Sequence, residues 1–577
     1  MVPKSRPEFD DLKDEYENFN SDAAWMERAV LVAKHVPVWM AQCQKQYGIE
    51  VKKLSDIPDA EFEKLARLGY TVIWLVGLWQ RSAVSKKIKR EIGLDKAEAS
   101  AYAIRAYAVA NEWGGLEALN SFRRRAAQHG IRLGADMVPN HTAMDADWMA
   151  ERPDLYLSSE GNPYPYYSFE GADLSENPQY ELFLEDHYRD QSDAAVVFKR
   201  VGAEENQVSY IYHGNDGVQT PWNDTAQLDY SNPNTREKMI AEILRIARNF
   251  SLLRFDAAML LTNQHIQRLW FPIDENQSHI PSRENKASKN APNIEANRKE
   301  FWLELTETLN NKAPDTLLLA EAYWMLENYF AHTLGLHRVY NIQFMRLLAE
   351  NNNQELVRSM KHLASRDLRF LSSRANFLSN PDEESAAYTF GDGDRYFCLC
   401  TLQATMPGLP IFAHGQAEGY RERYAMDIVS PNLDENPNEE LLQEHLKRIA
   451  PLLRRRDLFG PATNFKLFEF RDNEENVIED VICFVNGNQH EKALVLVNNS
   501  ATAVVGRVMD IQLEEKNGNN PALLKALSIG NGENWNAKEF PSGDLIAEKV
   551  SSILKDGFHR KLNAYEAQVI WEFIEDD

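Results

Sequence analysis

Four short segments of the sequence carry an acidic side chain, and three of them are apolar enough to be buried strands. Carboxylates that end successive strands of a (β/α)8 barrel meet at one face, even when they are far apart in the chain. Converging carboxylates are the groups that cleave glycosidic bonds. The four segments are Gly134–His141 with Asp136, Leu252–Asp256, Leu317–Glu321 and Arg374–Asp382.

Two of these acids have surroundings that suit two different roles. Cleavage with retention of configuration needs a nucleophilic carboxylate and a protonated carboxylic acid about 5–5.5 Å apart. Asp256 follows Arg254 by two residues, so both side chains lie on one face of the strand and the guanidinium keeps the carboxylate ionised. Glu321 leaves the apolar run Leu317–Ala320, where desolvation suits a general acid.

Helical and strand-like patterns alternate from about residue 60 to residue 455. Phe62, Leu65 and Leu68 share one helical face, Gly69 ends that helix, and the apolar run Thr71–Val76 follows. Repetition of this kind predicts a parallel sheet covered by helices. Because the acids lie at the ends of such strands, the sequence predicts an α/β protein built on a (β/α)8 TIM barrel.

Two other intervals depart from this alternation. The first interval, residues 142–231, is long, rich in Tyr, Asp, Asn and Pro, and has few helical periods. These properties are typical of a functional insertion. The second interval, residues 456–577, contains strand-like runs joined by Asn and Gly, which indicates an antiparallel β-sandwich domain. The predicted divisions are an N-terminal helical segment (1–59), the barrel (60–141 and 232–455), an inserted domain (142–231) and the C-terminal β domain (456–577).

The composition excludes some classes of partner. A formal charge of -24 disfavours nucleic acid and anionic membrane surfaces. The sequence has no run of 18 apolar residues and its N-terminus has no apolar signal core. We therefore predict neither a nucleic-acid nor a membrane partner, and a cytoplasmic location, with a secreted protein whose signal was removed as the alternative.

The cysteines form no metal-binding pattern. Cys-x-Cys stands without a second Cys or His pair nearby, so buried free thiols are predicted. Free thiols favour a reducing compartment. The four are Cys43, Cys398, Cys400 and Cys483.

The acidic segments occur in the order of the motifs of the α-amylase family, glycoside hydrolase family 13, which the chain resembles over about residues 60–455. They read Gly-Ala-Asp-Met-Val-Pro-Asn-His, Arg-Phe-Asp, Leu-Ala-Glu and Asn-Phe-Leu-Ser-Asn-Pro-Asp. The resemblance implies a retaining enzyme that cleaves α-glucosidic bonds of an α-glucan or maltooligosaccharide by double displacement. It also identifies the inserted domain with the family's domain B.

Roles carry over from the family by position. The resemblance implies that Asp256 is the nucleophile, that Glu321 is the acid/base and that Asp382 stabilises the oxocarbenium-like transition state. Arg254 would orient the nucleophile, and His141 would bond the sugar in the cleaved position. Further predicted substrate contacts come from the first motif and from aromatic residues beside the cleft. These are Asp136, Tyr102 and Trp324.

The chain departs from the family pattern at several positions. Pro381 stands where the family has His, which removes one hydrogen bond to the sugar, although maltosyltransferases that use maltose 1-phosphate accept Pro there. Met259 and Leu260 replace Lys-His, which makes the acceptor side less polar. Ala106 stands where the family has an acid. Two alternatives follow: an α-glucan transglycosylase or maltosyltransferase, and a non-catalytic carbohydrate-binding protein on a decayed barrel.

Calcium is a separate prediction from the resemblance. The chemistry needs no cofactor, but the family's calcium site uses the Asn of the first motif, here Asn140, with carboxylates from domain B. Asp224 and Asp229 are the predicted partners, because Ca²⁺ takes six to eight oxygen ligands. The alternative is that these acids only form turns and caps.

Overall fold

Eight short apolar strands form the centre of the molecule. The computed structural model describes residues 17–94, 97–190, 192–203, 207–218, 220–273, 292, 294, 299–511, 521–529 and 534–575. The strands are β1 (Leu31–His35), β2 (Val72–Val76), β3 (Arg132–Met137), β4 (Leu252–Phe255), β5 (Leu317–Ala320), β6 (Arg338–Tyr340), β7 (Arg374–Phe377) and β8 (Leu409–Phe412).

The eight strands close into a parallel barrel in chain order. Each strand pairs with its neighbours in sequence, and β8 returns to pair with β1 through Ile411 opposite Leu31. In the register between β3 and β4, Asp136 lies opposite Arg254. Between β4 and β5, Phe255 lies opposite Ala320. The residues that follow these strands, Asp256 and Glu321, therefore emerge side by side, and the predicted fold class is confirmed.

Alternate residues of the strands fill the barrel interior. They form one cluster of buried apolar side chains, in which Trp74 is the largest. Arg254 emerges from the same interior face with no exposed surface. Layers of this kind make the barrel a packed core rather than a pore, so the chemistry is confined to its carboxyl end. The other members are mostly aliphatic: Met26, Ala29, Leu31, Ala33, Val72, Val76, Leu252, Leu317, Leu319, Tyr340, Ile342, Met345, Ala375, Phe377, Leu409 and Ile411.

Helices cover the outside of the barrel and place a second apolar layer against it. Phe62 and Phe122, from two of these helices, pack edge to face, which extends the core beyond the strands. The α-helices are Val36–Tyr47, Asp59–Arg67, Ala83–Glu91, Gly115–Gln128, Asp147–Glu151, Pro233–Ala247, Asn263–Trp270, Phe301–Lys312, Glu327–His332, Ile342–Ala349, Asn353–Arg366, Arg369–Ser372, Ala386–Phe390, Asp394–Thr405, Glu439–Glu444, Ala450–Leu453, Arg456–Phe459, Pro521–Ala526 and Val550–Asp556.

The interval between β3 and the helix that precedes β4 forms sheets of its own. A four-stranded antiparallel sheet and a two-stranded sheet lie there, which agrees with an inserted domain at the carboxyl end of a barrel strand. The larger sheet contains Ser158–Ser159, Tyr180–Phe183, Val197–Gly202 and Val208–Tyr212, and the smaller pairs His141–Ala143 with Thr225–Gln227. A further two-stranded antiparallel sheet after β2 pairs Trp79–Arg81 with Ile104–Val109, with the helix Ala83–Glu91 between them in the chain.

The C-terminal region is antiparallel, as predicted. One strand, Lys466–Arg471, pairs through its first half with one neighbour and through its second half with another. The sheet therefore folds over itself, and Val508 shares a buried cluster with Trp535 and Ile570. The strands are Lys466–Arg471, Val481–Gly487, Lys492–Asn498, Val504–Met509, Asn534–Phe540, Leu545–Lys549, Phe558–Leu562 and Ala567–Glu575.

The N-terminal region differs from its prediction. The structure places β1 (Leu31–His35) in the barrel wall and the helix Val36–Tyr47 directly after it, so a separate helical segment ending at residue 59 is wrong. The apolar part of β1, Leu31 to Ala33, is too short to show a periodicity that separates a strand from a helix. The pairing of β1 with β8 joins distant positions, Leu31 with Ile411.

Two other predictions concern the chain as a whole. The four cysteines are buried and unbridged, which confirms the predicted free thiols. Among the helices that the structure describes, none combines the length and the apolarity needed to span a bilayer.

Candidate active site

One buried guanidinium lies at the centre of the predicted acids. Arg254 Nη1 donates to Asp256 Oδ1 at 2.6 Å and to Asp136 Oδ1 at 3.1 Å. Its other terminal nitrogen, Nη2, donates to Glu321 Oε2 at 2.7 Å and lies 3.8 Å from Asp382 Oδ2. The structure therefore brings together all four acids that the sequence placed at or beyond strand ends.

Three aromatic rings surround the same cation. The guanidinium carbon of Arg254 lies 5.3 Å from the ring centre of Trp74, 5.5 Å from that of Tyr102 and 5.6 Å from that of Tyr340. Aromatic faces attract a cation at such distances. Because these rings exclude water from Arg254, its charge acts on the acids at short range in a medium of low polarity.

The charge balance of this cluster raises the pKa of its acids. Burial raises the pKa of Asp136 from 3.8 to about 6, and Arg254 offsets part of that effect. Burial and the neighbouring Glu321 raise the pKa of Asp382 to about 6. For Asp256, burial raises the pKa, the charge of Arg254 opposes the rise and the neighbouring acids add to it. One cation cannot balance four ionised carboxylates, so the cluster retains protons towards neutral pH.

A cleft of about 840 Å³ opens beside these acids. Asp256, Glu321 and Asp382 all line it, together with His141 and Tyr102. Sites for small ligands are concave and carry a few polar groups that converge, and this cleft has that character. Its walls come from the helix after β2, from the inserted domain and from the loops after β4, β5 and β7. Other lining residues include Ile88, Lys89, Leu94, Tyr188, Asp193, Asp216, Trp222, Asp224 and Met426.

Two of the predicted sugar contacts face the cleft with polar atoms. Burial lowers the pKa of His141 to about 4, so its ring is neutral near pH 7 and offers one donor and one acceptor. The hydroxyl of Tyr102 is buried and has no partner among the described residues. A buried hydroxyl without a partner is costly, and a sugar hydroxyl in the cleft would satisfy it.

Two other predicted contacts lie elsewhere. Asp136 is buried against Arg254 and is not among the residues that line the cleft, so it supports the guanidinium instead of meeting substrate. Trp324 is 43% exposed, packs beside His265 and also lies outside the cleft lining. Met259 and Leu260 are buried, so they do not form the apolar acceptor wall that their sequence indicated.

The loop after β7 presents Asp382 through its Asn-Pro sequence. Asn380 Oδ1 accepts hydrogen bonds from the backbone N–H of Asp382 at 2.8 Å and of Glu383 at 3.1 Å. This Asx turn fixes the chain on both sides of Pro381. The Asp382 side chain is 39% exposed, which gives it access to a ligand in the cleft.

The predicted calcium ligands are not brought together. Asn140 Oδ1 accepts from Gln227 Nε2 at 3.1 Å. Asp224 accepts from Ser85 and Asp229 from the backbone of Ser231. The two acids flank opposite ends of the strand Thr225–Gln227, so they are on the order of 15 Å apart.

A single calcium ion needs all its ligands within about 2.6 Å, so these three residues do not fit one site. In the ranges that the structure describes, no group of three or more His, Cys, Asp or Glu is arranged to hold a metal ion.

Sequence reasoning missed three side chains that contact the acids or the cation, one of which is Trp74, whose ring centre lies 5.3 Å from the guanidinium carbon of Arg254. Tyr323 donates its hydroxyl to Glu321 Oε1 at 2.6 Å, and Tyr340 lies against Arg254. Tyr323 is two residues beyond Glu321, a spacing that places side chains on one face of extended chain, so its position carried a usable signal. Tyr340 ends a three-residue strand with no distinct pattern.

The family assignment follows from the barrel and its acids. The family model described as the α-amylase catalytic domain matches residues 60–450. That span is more than half of the chain, so the protein belongs to the α-amylase family. No curated protein matches the sequence.

Solved structures with the same fold have low sequence identity to this chain. The Bacillus licheniformis trehalose-6-phosphate hydrolase is 15% identical, with a TM-score of 0.60 over 96% of this chain and 100% of that one. A maltogenic α-amylase from Thermotoga neapolitana is 16% identical, with a TM-score of 0.58 over 95% and 99%. A debranching enzyme from Nostoc punctiforme is 13% identical, with a TM-score of 0.55 over 96% and 99%. These likenesses concern the fold alone.

Proposed function

We propose that this protein is a retaining glycoside hydrolase that cleaves α-glucosidic bonds in α-glucans or maltooligosaccharides. The observation that carries the proposal is the position of Asp256 and Glu321, which bind the two terminal nitrogens of Arg254 and line one cleft. Two carboxyls held this close suit a double displacement, which needs about 5–5.5 Å between them.

The proposed chemistry assigns a separate role to each acid. Asp256 attacks the anomeric carbon and forms a glycosyl ester, while Glu321 gives its proton to the departing glycosidic oxygen. Glu321 then takes a proton from the incoming water, which breaks the ester and restores Asp256. Arg254 orients Asp256 and opposes the rise in its pKa, and Asp382 faces the positive charge that develops on the sugar ring.

The charge of the cleft supports a neutral substrate. Lys89 is the only Lys or Arg among the described residues that line it, and Lys89 already lies 3.6 Å from Asp427. A phosphate group would meet an excess of carboxylates and no unpaired cation there. We therefore favour unphosphorylated glucans over maltose 1-phosphate or trehalose 6-phosphate. The lining carboxylates are Asp193, Asp216, Asp224, Asp256, Glu321 and Asp382.

Two alternatives remain candidates. Transglycosylation shares the first half-reaction and differs only in whether a sugar or water accepts the glycosyl group. The burial of Met259 and Leu260 removes the argument for an apolar acceptor side. A non-catalytic carbohydrate-binding protein is disfavoured because all the acids and Arg254 are present and in contact.

The first test is product analysis with maltoheptaose. We expect shorter oligosaccharides from maltoheptaose. With maltose 1-phosphate under the same conditions, we expect no release of phosphate. Longer products alongside the shorter ones would assign transglycosylation. Rapid phosphate release from maltose 1-phosphate would contradict the neutral-substrate proposal.

The matched variant is Glu321→Gln, which keeps the shape of the side chain and removes its acid. We expect the rate to fall by about 10²–10⁴-fold, with maltoheptaose binding retained in calorimetry. Glu355→Gln, on an exposed helix, is the control and should keep its rate. If wild type and Glu321→Gln bind glucan and are equally inert, the protein is a binding protein.

A further inference from the structure

The two oxygens of Glu321 have different partners. Oε2 accepts from Arg254 Nη2 at 2.7 Å and from the backbone N–H of Ala257 at 2.8 Å. Oε1 accepts from the hydroxyl of Tyr323 at 2.6 Å. Because Oε2 already faces two N–H donors, the proton of the acid form has to reside on Oε1. Tyr323 therefore contacts the oxygen that gives and takes the proton.

The backbone holds Tyr323 in this place with an unusual turn. The N–H of Leu326 bonds to the carbonyl of Tyr323 at 3.2 Å, and the two residues between them, Trp324 and Met325, have φ of 62° and 67°. Positive φ at both central positions is the pattern of a type I′ turn, which normally needs Gly, Asn or Asp. Large side chains in this left-handed conformation are strained, and such strain clusters at functional sites.

We infer that Tyr323 is a positioning residue for the acid/base Glu321. The Tyr323 hydroxyl donates a hydrogen bond to ionised Glu321, and it forms that bond again when Glu321 has given up its proton. This inference rests on the proposed function of Glu321. A hydroxyl both donates and accepts, so Tyr323 donates to the carboxylate and rotates when Oε1 carries the proton. No bond of Tyr323 itself forms or breaks.

The phenol of Tyr323 keeps its own proton throughout. Burial and the negative charge of Glu321 raise the pKa of Tyr323 well above its ordinary value, so the phenol keeps its proton. Other groups also face Glu321: the cation Arg254, the acids Asp136, Asp256 and Asp382, and the phenol of Tyr340. These remain unchanged when only the Tyr323 hydroxyl is removed.

Removal of the hydroxyl therefore has a defined consequence. A hydrogen bond to the charged form of a group shifts the pKa of that group by about one pH unit. In Tyr323→Phe, Glu321 should hold its proton to higher pH, and the alkaline limb of the kcat/KM profile should move up by about one pH unit. Because Glu321 becomes anionic in the first transition state, kcat should fall about tenfold while KM changes little.

The experiment uses two readouts on the whole chain. The first is the pH profile of maltoheptaose cleavage. The second is titration of ¹³C-labelled glutamate carboxyls by NMR, with Glu321→Gln identifying the Glu321 signal, and it requires no turnover. Tyr47→Phe is the matched control, because Tyr47 makes the same kind of bond to Glu61, at 2.8 Å, outside the cleft.

The expected result is an upward shift of the Glu321 titration in Tyr323→Phe and none in Tyr47→Phe. If Tyr323→Phe does not fold, 3-fluorotyrosine at position 323, a stronger donor, should shift the titration downward. An unchanged Glu321 titration in Tyr323→Phe, or in the protein with 3-fluorotyrosine at position 323, overturns the inference. If wild type cleaves no glucan while the NMR shift is present, the proposed function fails and the role of Tyr323 in holding the carboxylate stands.

Discussion

Two clusters of buried charged side chains in this molecule differ in their balance of charge. Beneath the cleft, Arg254 alone faces four carboxylates. Against the outside of the barrel, Glu418 lies 3.4 Å from Lys34 and 3.3 Å from Lys64, and Glu61 lies 2.7 Å from Lys64. The second cluster holds two cations and two anions, so its charges cancel.

The difference appears in the proton affinity of each cluster. Burial raises the pKa of an acid, but the charges of Lys34 and Lys64 hold the pKa of Glu418 well below its ordinary value. In the cluster around Arg254, burial prevails and the pKa of Asp136 reaches about 6. A balanced cluster holds elements together, whereas an unbalanced one retains protons and reactivity at the expense of stability. The imbalance therefore marks the functional site.

The largest expected effect comes from removing the nucleophile. Asp256→Asn should lower the rate of maltoheptaose cleavage by about 10⁴-fold or more. Because Asn carries no charge, it relieves repulsion in the cluster, and the Tm at pH 7 should not fall. Asp229→Asn, outside the cleft lining, should retain its rate. A residual rate within tenfold of wild type would contradict the role assigned to Asp256.

The balanced cluster should respond in the opposite way. Glu418→Gln leaves two buried lysines against one acid, and we expect a loss of about 3–5 kcal/mol in the free energy of unfolding. Cleavage by the folded enzyme should stay within twofold of wild type. Urea unfolding at pH 7 measures the first quantity.

The control for Glu418→Gln is Asp434→Asn, which removes an exposed ion pair with Lys45 and should cost less than about 1 kcal/mol. Equal stability losses in the two variants would remove the distinction between buried and exposed pairs on which the comparison depends.

The smallest expected effect is a dependence of stability on pH. Asp136 has a folded pKa of about 6 against an ordinary value of 3.8, so the folded state binds more protons between these values. Its contribution to stability therefore falls as pH rises from about 4 to 6, by about 3 kcal/mol at most. Asp136→Asn keeps an acceptor for Arg254 and should gain stability over wild type across that window.

Thermal unfolding of both proteins at several pH values measures the gain of Asp136→Asn. A difference between them that stays constant from pH 4 to pH 7 would show that Asp136 is not a raised-pKa group.

Much of the site was predictable because its signals are local. Asp256 and Glu321 directly follow apolar runs, and parallel strands in a barrel bring such ends together. Arg254 was predictable from its spacing of two residues. The sequence also indicated the separate domains, because its helical periods give way to strand-like runs that are joined by Asn and Gly.

Other features depended on contacts between distant parts of the chain. β1 is a strand only because β8 and β2 bind its two edges. Asp136 carries the motif of a substrate contact, yet the register between β3 and β4 sets it opposite Arg254. Met259 and Leu260 indicated an apolar cleft wall, but the chain packs both inward.

The sequence by itself determined the family and the fold class of this protein, since the types of its acids and their order along the chain are those of a family built on a barrel. Only the tertiary structure decided how those acids share one guanidinium, which oxygen of Glu321 contacts Tyr323, and that the predicted calcium ligands lie apart. The physical reason is that side-chain type is a local property, while charge balance, burial and hydrogen-bond partners depend on what the rest of the chain places within a few ångströms.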